Sequence, residues 1–154
     1  MRKILVTGGA GFIGSNLIYE LVSKGYEVTS IDDYSAGLKK NEVEGAEYIN
    51  LDIDMVDNLD NNFDICFHLA AKSRVQPSFS DPTEYFRVNV SGTMKIMEWA
   101  KKNNVKVIYA GSSSKHHNPS DSPYAMYKYL GEEVCKLYKN SYSIDVEIAR
   151  FYNV

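Results

Sequence analysis

A tyrosine and a lysine four residues apart form the pair in this sequence best suited to acid–base chemistry. Tyr124 and Lys128 follow Ser122 and Pro123, a serine cap and a proline typical of the first turn of a helix. The spacing predicts both side chains on one helix face, where an ammonium stabilises a phenolate and lowers the pKa of the tyrosine. About one such pair is expected by chance in a chain this rich in tyrosine, so its position has to support it.

Three consecutive serines precede this pair, after the fifth of the predicted strands. Ser112 and Ser113 lie at the carboxyl end of that strand, and the carboxyl edge is where open α/β sheets bind ligands. A serine hydroxyl there can hydrogen-bond the substrate oxygen that Tyr124 protonates or deprotonates. Ser112, Ser113, Tyr124 and Lys128 are therefore the candidate catalytic residues.

Three glycines lie between the first predicted strand and the first predicted helix. At such a turn, Gly8 permits a tight reversal, Gly11 lets a pyrophosphate approach the backbone, and Gly14 allows close helix packing. The free N–H groups of the helix N-terminus then face the phosphates. Between a strand and a helix, this pattern favours a dinucleotide site over an ordinary turn.

Acidic residues after the second and third predicted strands are placed to hold an adenosine. Asp32 comes 18 residues after Gly14, where a carboxylate can accept hydrogen bonds from both ribose hydroxyls, and Asp33 could share the role. A 2′-phosphate would be repelled there, and no arginine follows closely, so we expect NAD rather than NADP as the cofactor. Asp52 and Ile53 are placed to flank the adenine ring, although an ordinary loop is the alternative.

Positioning these residues requires alternating strands and helices, and the hydrophobic pattern predicts them. The fold class is α/β, a doubly wound parallel sheet of six or so strands with helices on both faces, in one domain spanning 1–154. Strands are predicted at 3–7, 27–32, 46–50, 64–69, 105–110 and 145–150, and helices at 14–24, within 81–103, and at 123–140.

Composition excludes several other classes of protein. The net charge of −3 offers no basic excess for nucleic acid. No apolar stretch approaches the length of a membrane span, and the first apolar run is too short for a signal peptide, which predicts no membrane partner and a cytoplasmic location. Cys66 and Cys135 lack metal-ligand spacing and are expected to be buried thiols, with no metal site.

Together the motifs resemble those of the extended short-chain dehydrogenases/reductases, in the branch of nucleotide-sugar epimerases and dehydratases. The resemblance covers essentially the whole chain. The matching segments are 7–14 (TGGAGFIG), 68–71 (HLAA), 89–93 (NVSGT), 122–128 (SPYAMYK) and 150–153 (RFYN), with Asp32, Asp52, Ile53, Ser112 and Ser113.

The resemblance implies a Rossmann fold, NAD as cofactor and a role for each matching residue. Tyr124 would be the catalytic acid–base, Lys128 would bind the nicotinamide ribose, and Ser112 or Ser113 would orient the substrate. The implied cofactor-binding set is Gly8, Gly11, Phe12, Ile13, Gly14, Asp32, Asp33, Asp52, Ile53, Leu69, Ala70, Ala71, Asn89 (structural or adjacent to the cofactor), Tyr124, Lys128 and Tyr152.

The residue two positions after the first serine bears on the reaction. Dehydratases and decarboxylases of the family tend to have an acid there for extra proton handling, whereas this chain has Ser114. This resembles the epimerases and predicts NAD-dependent epimerisation at C4 of a nucleotide-diphosphate sugar, a UDP-hexose, through a 4-keto intermediate. The alternatives are a nucleotide-sugar dehydratase or reductase, and a non-catalytic NAD-binding module.

Two polar segments bear on substrate preference. Tyr124 follows Ser112 by only 12 residues, so the loop between them is shorter than the family usually has. This loop contains Lys115, His116 and His117. The histidines could contact a phosphate or a metal, but a solvated pair is the favoured interpretation. The other segment is Lys72, Ser73 and Arg74, which either reach the substrate or form an ordinary polar loop.

The resemblance also implies a homodimer and a longer protein. In the family, helices corresponding to 92–102 and to the helix beginning at Pro123 pair across a two-fold axis as a four-helix bundle. The apolar Met94, Met97, Met126 and Leu130 agree with that and equally with ordinary burial. Family members are about twice this length, with a substrate domain after the RFYN segment, so we expect the substrate domain to be missing here.

Overall fold

Six parallel strands form one sheet in the computed structural model, which describes residues 2–59, 62–116 and 118–152 and, at Lys115, the backbone alone. The strand order is β3-β2-β1-β4-β5-β6, so the expected doubly wound α/β fold is confirmed. The strands are β1 (Lys3–Thr7), β2 (Glu27–Asp32), β3 (Glu47–Asn50), β4 (Ile65–His68), β5 (Lys106–Ser112) and β6 (Val146–Phe151).

Between β2 and β3 and between β3 and β4 the chain forms 3₁₀ turns, and the other connections between consecutive strands contain helices. The helices are α1 (Phe12–Ser23), α2 (Val75–Ser80), α3 (Pro82–Phe86), α4 (Thr93–Asn103) and α5 (Pro123–Tyr142), with short 3₁₀ turns at Lys39–Asn41, Ile53–Asn58, Ser113–His116 and Pro119–Asp121. The predicted helix within 81–103 is divided, because a π-helical turn at Arg87–Gly92 joins α3 to α4. None of the described helices is long and apolar enough to cross a membrane.

Both faces of the sheet are covered, which explains why its central strands β1 and β4 are largely apolar. Successive side chains of β1 point to opposite faces: Ile4 and Val6 pack with Ile18 of α1, whereas Leu5 belongs to the cluster that contains Trp99 of α4. Each face therefore has its own hydrophobic core, and the sheet between them is a rigid support for the loops at its edge.

The strand order reverses at β1, which pairs with β2 on one side and with β4 on the other. The chain segments that leave β1 and β4 therefore diverge, and they open a crevice at the carboxyl edge, where doubly wound sheets bind ligands. The fifth strand begins one residue later than predicted and extends two residues further, to Ser112. The candidate serine is thus the last residue of a central strand.

Candidate active site

A cleft of about 1060 Å³ opens at this reversal point. It runs from the glycine loop after β1, past the ends of β2, β4 and β5, to the first turn of α5. Of the residues predicted to bind cofactor or substrate, those that line it are Gly8, Gly11, Phe12, Ile13, Gly14, Asp32, Asp33, Ile53, Leu69, Ala70, Ala71, Lys72, Ser73, Arg74, Ser112, Tyr124, Lys128 and Tyr152. The structure thus brings most of the predicted site into one cleft.

The three glycines of the loop are required for different reasons. Gly8 has a φ of +75°, and a Cβ on it would lie 2.9 Å from the backbone of Ala70. A Cβ on Gly14 would lie 2.3 Å from the Gly8 carbonyl oxygen, so the fold itself excludes a side chain there. Gly11 has an ordinary φ of −78°, and its Cβ would meet only the Gly8 oxygen, at 3.3 Å. The fold does not need a glycine at Gly11, but a ligand approaching the loop closely would.

Asp32 ends β2 with both carboxylate oxygens held by the backbone. Oδ2 accepts a hydrogen bond from the N–H of Ala10 at 2.9 Å, and Oδ1 accepts one from the N–H of Tyr34 at 2.8 Å. Each oxygen keeps a second lone pair, so the carboxylate is fixed and can still accept from ribose hydroxyls. Neighbouring Asp33 also lines the cleft, and its Oδ1 accepts from the N–H of Ser35.

Asp52 faces away from the cleft, towards an arginine on the π-helical turn. Its two oxygens accept hydrogen bonds from the Arg87 guanidinium at 2.9 and 3.1 Å, and this contact holds the pKa of Asp52 below its usual value. Arg87 also binds Asp54 and Glu84. The neighbouring Ile53 is buried and lines the cleft. An adenine contact from Asp52 stays a prediction, and Ile53 is the residue of the pair that reaches the cleft wall.

A buried histidine of the HLAA segment, to which the sequence assigns no role, connects the strands beneath the cleft. His68 Nδ1 lies 2.8 Å from Thr7 Oγ1, which accepts from the N–H of Ala70, and His68 Nε2 lies 3.1 Å from Thr93 Oγ1. The Thr93 hydroxyl donates to the carbonyl oxygen of Asn89. Burial lowers the pKa of His68 to about 3, so the ring is neutral and serves both threonines.

Asn89 fixes the segment that follows β4. It is buried in the π-helical turn, its Oδ1 accepts from the N–H of Lys72 at 2.8 Å, and its Nδ2 donates to the Lys72 carbonyl at 3.0 Å. Because this amide pairs with the backbone, Asn89 shapes the cleft wall without lining it. This geometry agrees with the structural alternative given for Asn89 from the sequence.

The tyrosine–lysine pair lies in the first turns of α5, as the sequence predicts. Ser122 caps the helix, since its Oγ accepts from the N–H of Ala125 at 3.1 Å. Lys128 is buried, and its Nζ donates to the Ala110 carbonyl at 2.5 Å and lies 4.6 Å from the centre of the Tyr109 ring. Burial lowers the pKa of Lys128 to about 8. Tyr124 is half-buried and lines the cleft beside it.

Ser112 is the serine of the triplet that lines the cleft. Its Oγ accepts hydrogen bonds from the Ser114 N–H at 3.2 Å and from the Ser114 hydroxyl at 2.9 Å. The Ser112 hydroxyl hydrogen therefore remains available to a ligand. Ser113 begins the next 3₁₀ turn and is not part of the cleft wall.

The short loop after the serines brings a histidine to the rim of the cleft. His116 Nε2 lies 3.0 Å from the hydroxyl of Tyr152, and the two rings are stacked. His117 and the Lys115 side chain lie outside the described residues, as does Asn153 at the end of the RFYN segment. Within the described part of the chain, no three His, Cys, Asp or Glu side chains are grouped as a metal site would require.

A buried acid behind the site was also missed in the sequence. Glu132 lies one turn after Lys128 on α5, only 1% exposed, and binds the Arg150 guanidinium at 3.0 Å. The pair joins α5 to β6 beneath Gly111, whose backbone leaves no room for a Cβ beside the carboxylate. Glu132 and Glu133 are adjacent in the sequence, which gives no sign that the first is buried, and only the partner on β6 explains it.

Fold and site together define a dinucleotide-binding α/β domain with a tyrosine–lysine pair at its cleft. The model of the NAD dependent epimerase/dehydratase family matches residues 4–154, and the chain belongs to this family.

Two relatives and one solved structure illustrate the similarity. A putative UDP-glucose 4-epimerase of Methanocaldococcus jannaschii is 36% identical over 98% of this chain and 55% of its own length. A UDP-N-acetyl-alpha-D-glucosaminuronate decarboxylase of Bacillus cytotoxicus is 33% identical over 99% of this chain and 54% of its own. The UDP-glucose 4-epimerase of Brucella ovis, solved with NAD, superposes with a TM-score of 0.89 at 27% identity, covering 99% of this chain and 52% of that one.

These similarities define the class of enzyme and its cofactor. The family is one of NAD-dependent enzymes, and its members related to this chain include both UDP-sugar epimerases and decarboxylases. NAD, the cofactor predicted from Asp32 and the glycine loop, is confirmed at the level of the family. The chain spans about half the length of the curated relatives it matches.

Proposed function

We propose that the protein catalyses epimerisation at C4 of a UDP-hexose through a 4-keto intermediate. The observation that carries this proposal is that Tyr124, Lys128 and Ser112 share one cleft with the glycine loop. A cofactor bound on the loop and a sugar hydroxyl held by the serine would then lie within the same cavity. When bound, NAD supplies the reversible hydride acceptor for C4.

Each side chain has a separate task in this reaction. Tyr124 removes the proton of the C4 hydroxyl as the carbon is oxidised, and it returns a proton as the carbonyl is reduced. The Lys128 ammonium stabilises the tyrosinate by its charge, and the hydrogen bond to Ala110 fixes its position. Ser112 donates to the reacting oxygen and holds it near Tyr124. Inversion at C4 requires the keto sugar to present its other face before the hydrogen returns.

The absence of an acid beside the serine favours epimerisation over elimination. The position two residues after Ser112 is Ser114, and its hydroxyl donates to Ser112. Water loss requires a further acid or base at a carbon that Tyr124 does not serve, and none of the described side chains at the end of β5 provides one. A dehydratase, a reductase or a decarboxylase related to the relative from Bacillus cytotoxicus is the second candidate.

Assembly and location belong to the proposal as well. Met94 is exposed on α4 and fits the predicted dimer interface, whereas Met97 is buried in this chain's own core. A homodimer through a four-helix bundle, a cytoplasmic location and a separate sugar-nucleotide domain stay predictions. The chain spans about half the length of the curated relatives it matches, so the activity of the whole protein is part of the proposal.

Turnover of UDP-glucose and UDP-galactose tests the proposal. With NAD supplied, the full-length protein should interconvert them without a net change in NADH. Tyr124→Phe should lower kcat by about 100- to 10,000-fold and leave NAD affinity unchanged, whereas Tyr19→Phe, on the exposed face of α1, should change neither. Stoichiometric NADH would indicate a dehydrogenase, a dehydrated sugar would indicate a dehydratase, and NAD binding without turnover of any nucleotide sugar would indicate a binding module.

A further inference from the structure

Arg74 has an unusual backbone conformation at the substrate end of the cleft. Its φ is +78° and its ψ is 137°, a region that is unfavourable for a residue with a Cβ. The conformation is held by buried Tyr85, whose hydroxyl lies 2.6 Å from the Ser73 carbonyl oxygen and 3.2 Å from that of Arg74. The backbone of Arg74 is therefore held in a conformation in which a glycine would be more stable.

The Arg74 guanidinium is exposed and has no hydrogen-bond or ion-pair partner among the residues that the structure describes. The neighbouring cations differ in this respect. Lys72 donates to Ser35 across the cleft and lies near Glu84, and Arg87 is saturated by three carboxylates. Arg74 lines the cleft, and its guanidinium is available there to pair with an anionic group of a ligand.

Arg74 lies at the same end of the cleft as the candidate acid–base residue. The Ser78 hydroxyl on α2, the helix that begins directly after Arg74, accepts from the N–H of Tyr124 at 3.2 Å. The Tyr85 hydroxyl contacts the Arg74 carbonyl oxygen at 3.2 Å, and its pKa is raised chiefly by burial and further by Tyr124, whereas Arg74 lowers it. A group bound by Arg74 would thus be close to the carbon on which Tyr124 acts.

The position relative to Tyr124 selects the anion. In a nucleotide-diphosphate hexose the diphosphate is attached at C1, across the ring from C4, whereas C6 is attached to the carbon next to C4. An anion beside the reacting carbon is therefore a C6 carboxylate, which a guanidinium binds through two parallel hydrogen bonds. From this geometry we infer that Arg74 is a specificity-determining residue that recognises a sugar carboxylate, and that the preferred substrate is a nucleotide-diphosphate hexuronate.

This inference rests on the proposed function and narrows its substrate. It is tested by comparing kcat/KM for UDP-glucuronate and for UDP-glucose in the full-length protein with NAD. The wild type should prefer the uronate. Arg74→Met should lower kcat/KM for the uronate by about 10- to 100-fold, the loss expected for a charge-assisted hydrogen bond, and leave the value for UDP-glucose nearly unchanged. Arg74→Lys should retain part of the preference.

A matched control separates this role from folding and from phosphate binding. Arg2 is exposed and precedes β1, at the opposite edge of the sheet, so Arg2→Met should leave both substrates unaffected. NAD affinity and the melting temperature should show that Arg74→Met is folded. Equal losses for both sugars would assign Arg74 to the diphosphate and overturn the inference, as would a wild-type preference for UDP-glucose. Failure to epimerise either sugar would overturn the proposed function itself.

Discussion

The Nζ atom of Lys128 donates a hydrogen bond of 2.5 Å to the carbonyl oxygen of Ala110. The bond joins the helix that carries Tyr124 to the strand that ends in Ser112, and these two residues would handle the substrate oxygen. The lysine is a buried cation beneath the cleft, with the Tyr109 ring beside it. Its charge is therefore felt more strongly than that of a surface lysine.

Replacing Lys128 should remove both the hydrogen bond to Ala110 and the ammonium charge that stabilises the tyrosinate. We expect Lys128→Met to lower kcat by about 100-fold or more. Burial lowers the pKa of Lys128 to about 8, so wild-type kcat should fall as the pH rises through that value, and the residual kcat of Lys128→Met should not show this fall. Identical pH profiles for the two proteins would contradict the role of Lys128.

The two glycines at either end of the first turn of α1 should respond differently to a methyl group. Gly11→Ala meets only the Gly8 oxygen, at 3.3 Å, so it should fold with nearly wild-type stability but lose NAD affinity, since a methyl group would stand where the pyrophosphate approaches. Gly14→Ala would place a Cβ 2.3 Å from the same oxygen and should destabilise the fold. Calorimetric NAD titration and thermal unfolding measure both effects. Normal NAD binding by Gly11→Ala would contradict the assignment of the glycine loop to the cofactor site.

His68 should make the protein sensitive to acid. Its pKa is about 3 in the folded chain, below its ordinary value of 6.5. Between these values the unfolded chain binds a proton that the folded chain does not. The free energy of unfolding should therefore fall with decreasing pH, by up to about 1.4 kcal/mol per unit from this group. Urea unfolding between pH 7 and 4 should show a shallower decline for His68→Gln, and parallel declines would show that His68 is not buried as a neutral ring.

Local patterns predicted the strands and the cofactor loop because their causes are local. The predicted limits of β1 and β2 agree with the structure, since both segments are rich in β-branched residues and end at a glycine turn or an acid. Ser122 and Pro123 located the start of α5 for the same reason: a cap and its helix are adjacent in sequence.

Long-range pairing explains what the sequence could not provide. The adenine contact of Asp52 stays a prediction, but the pairing of its carboxylate with Arg87, 35 residues further along the chain, has no local signal. The contacts of His68 with Thr7 and Thr93 span 61 and 25 residues. The left-handed backbone of Arg74 likewise has no local signal, because it depends on the hydroxyl of Tyr85.

The fate of the hydrogen at C4 tests the central claim most directly. If Tyr124 and Ser112 serve a reversible oxidation at this carbon, the hydrogen leaves C4 and returns within one closed site. A UDP-hexose labelled with deuterium at C4 should therefore be converted by the full-length protein, in ordinary water, to its C4 epimer with the label retained at C4. Loss of the deuterium to solvent, or a product whose configuration at C4 is unchanged, would contradict the account.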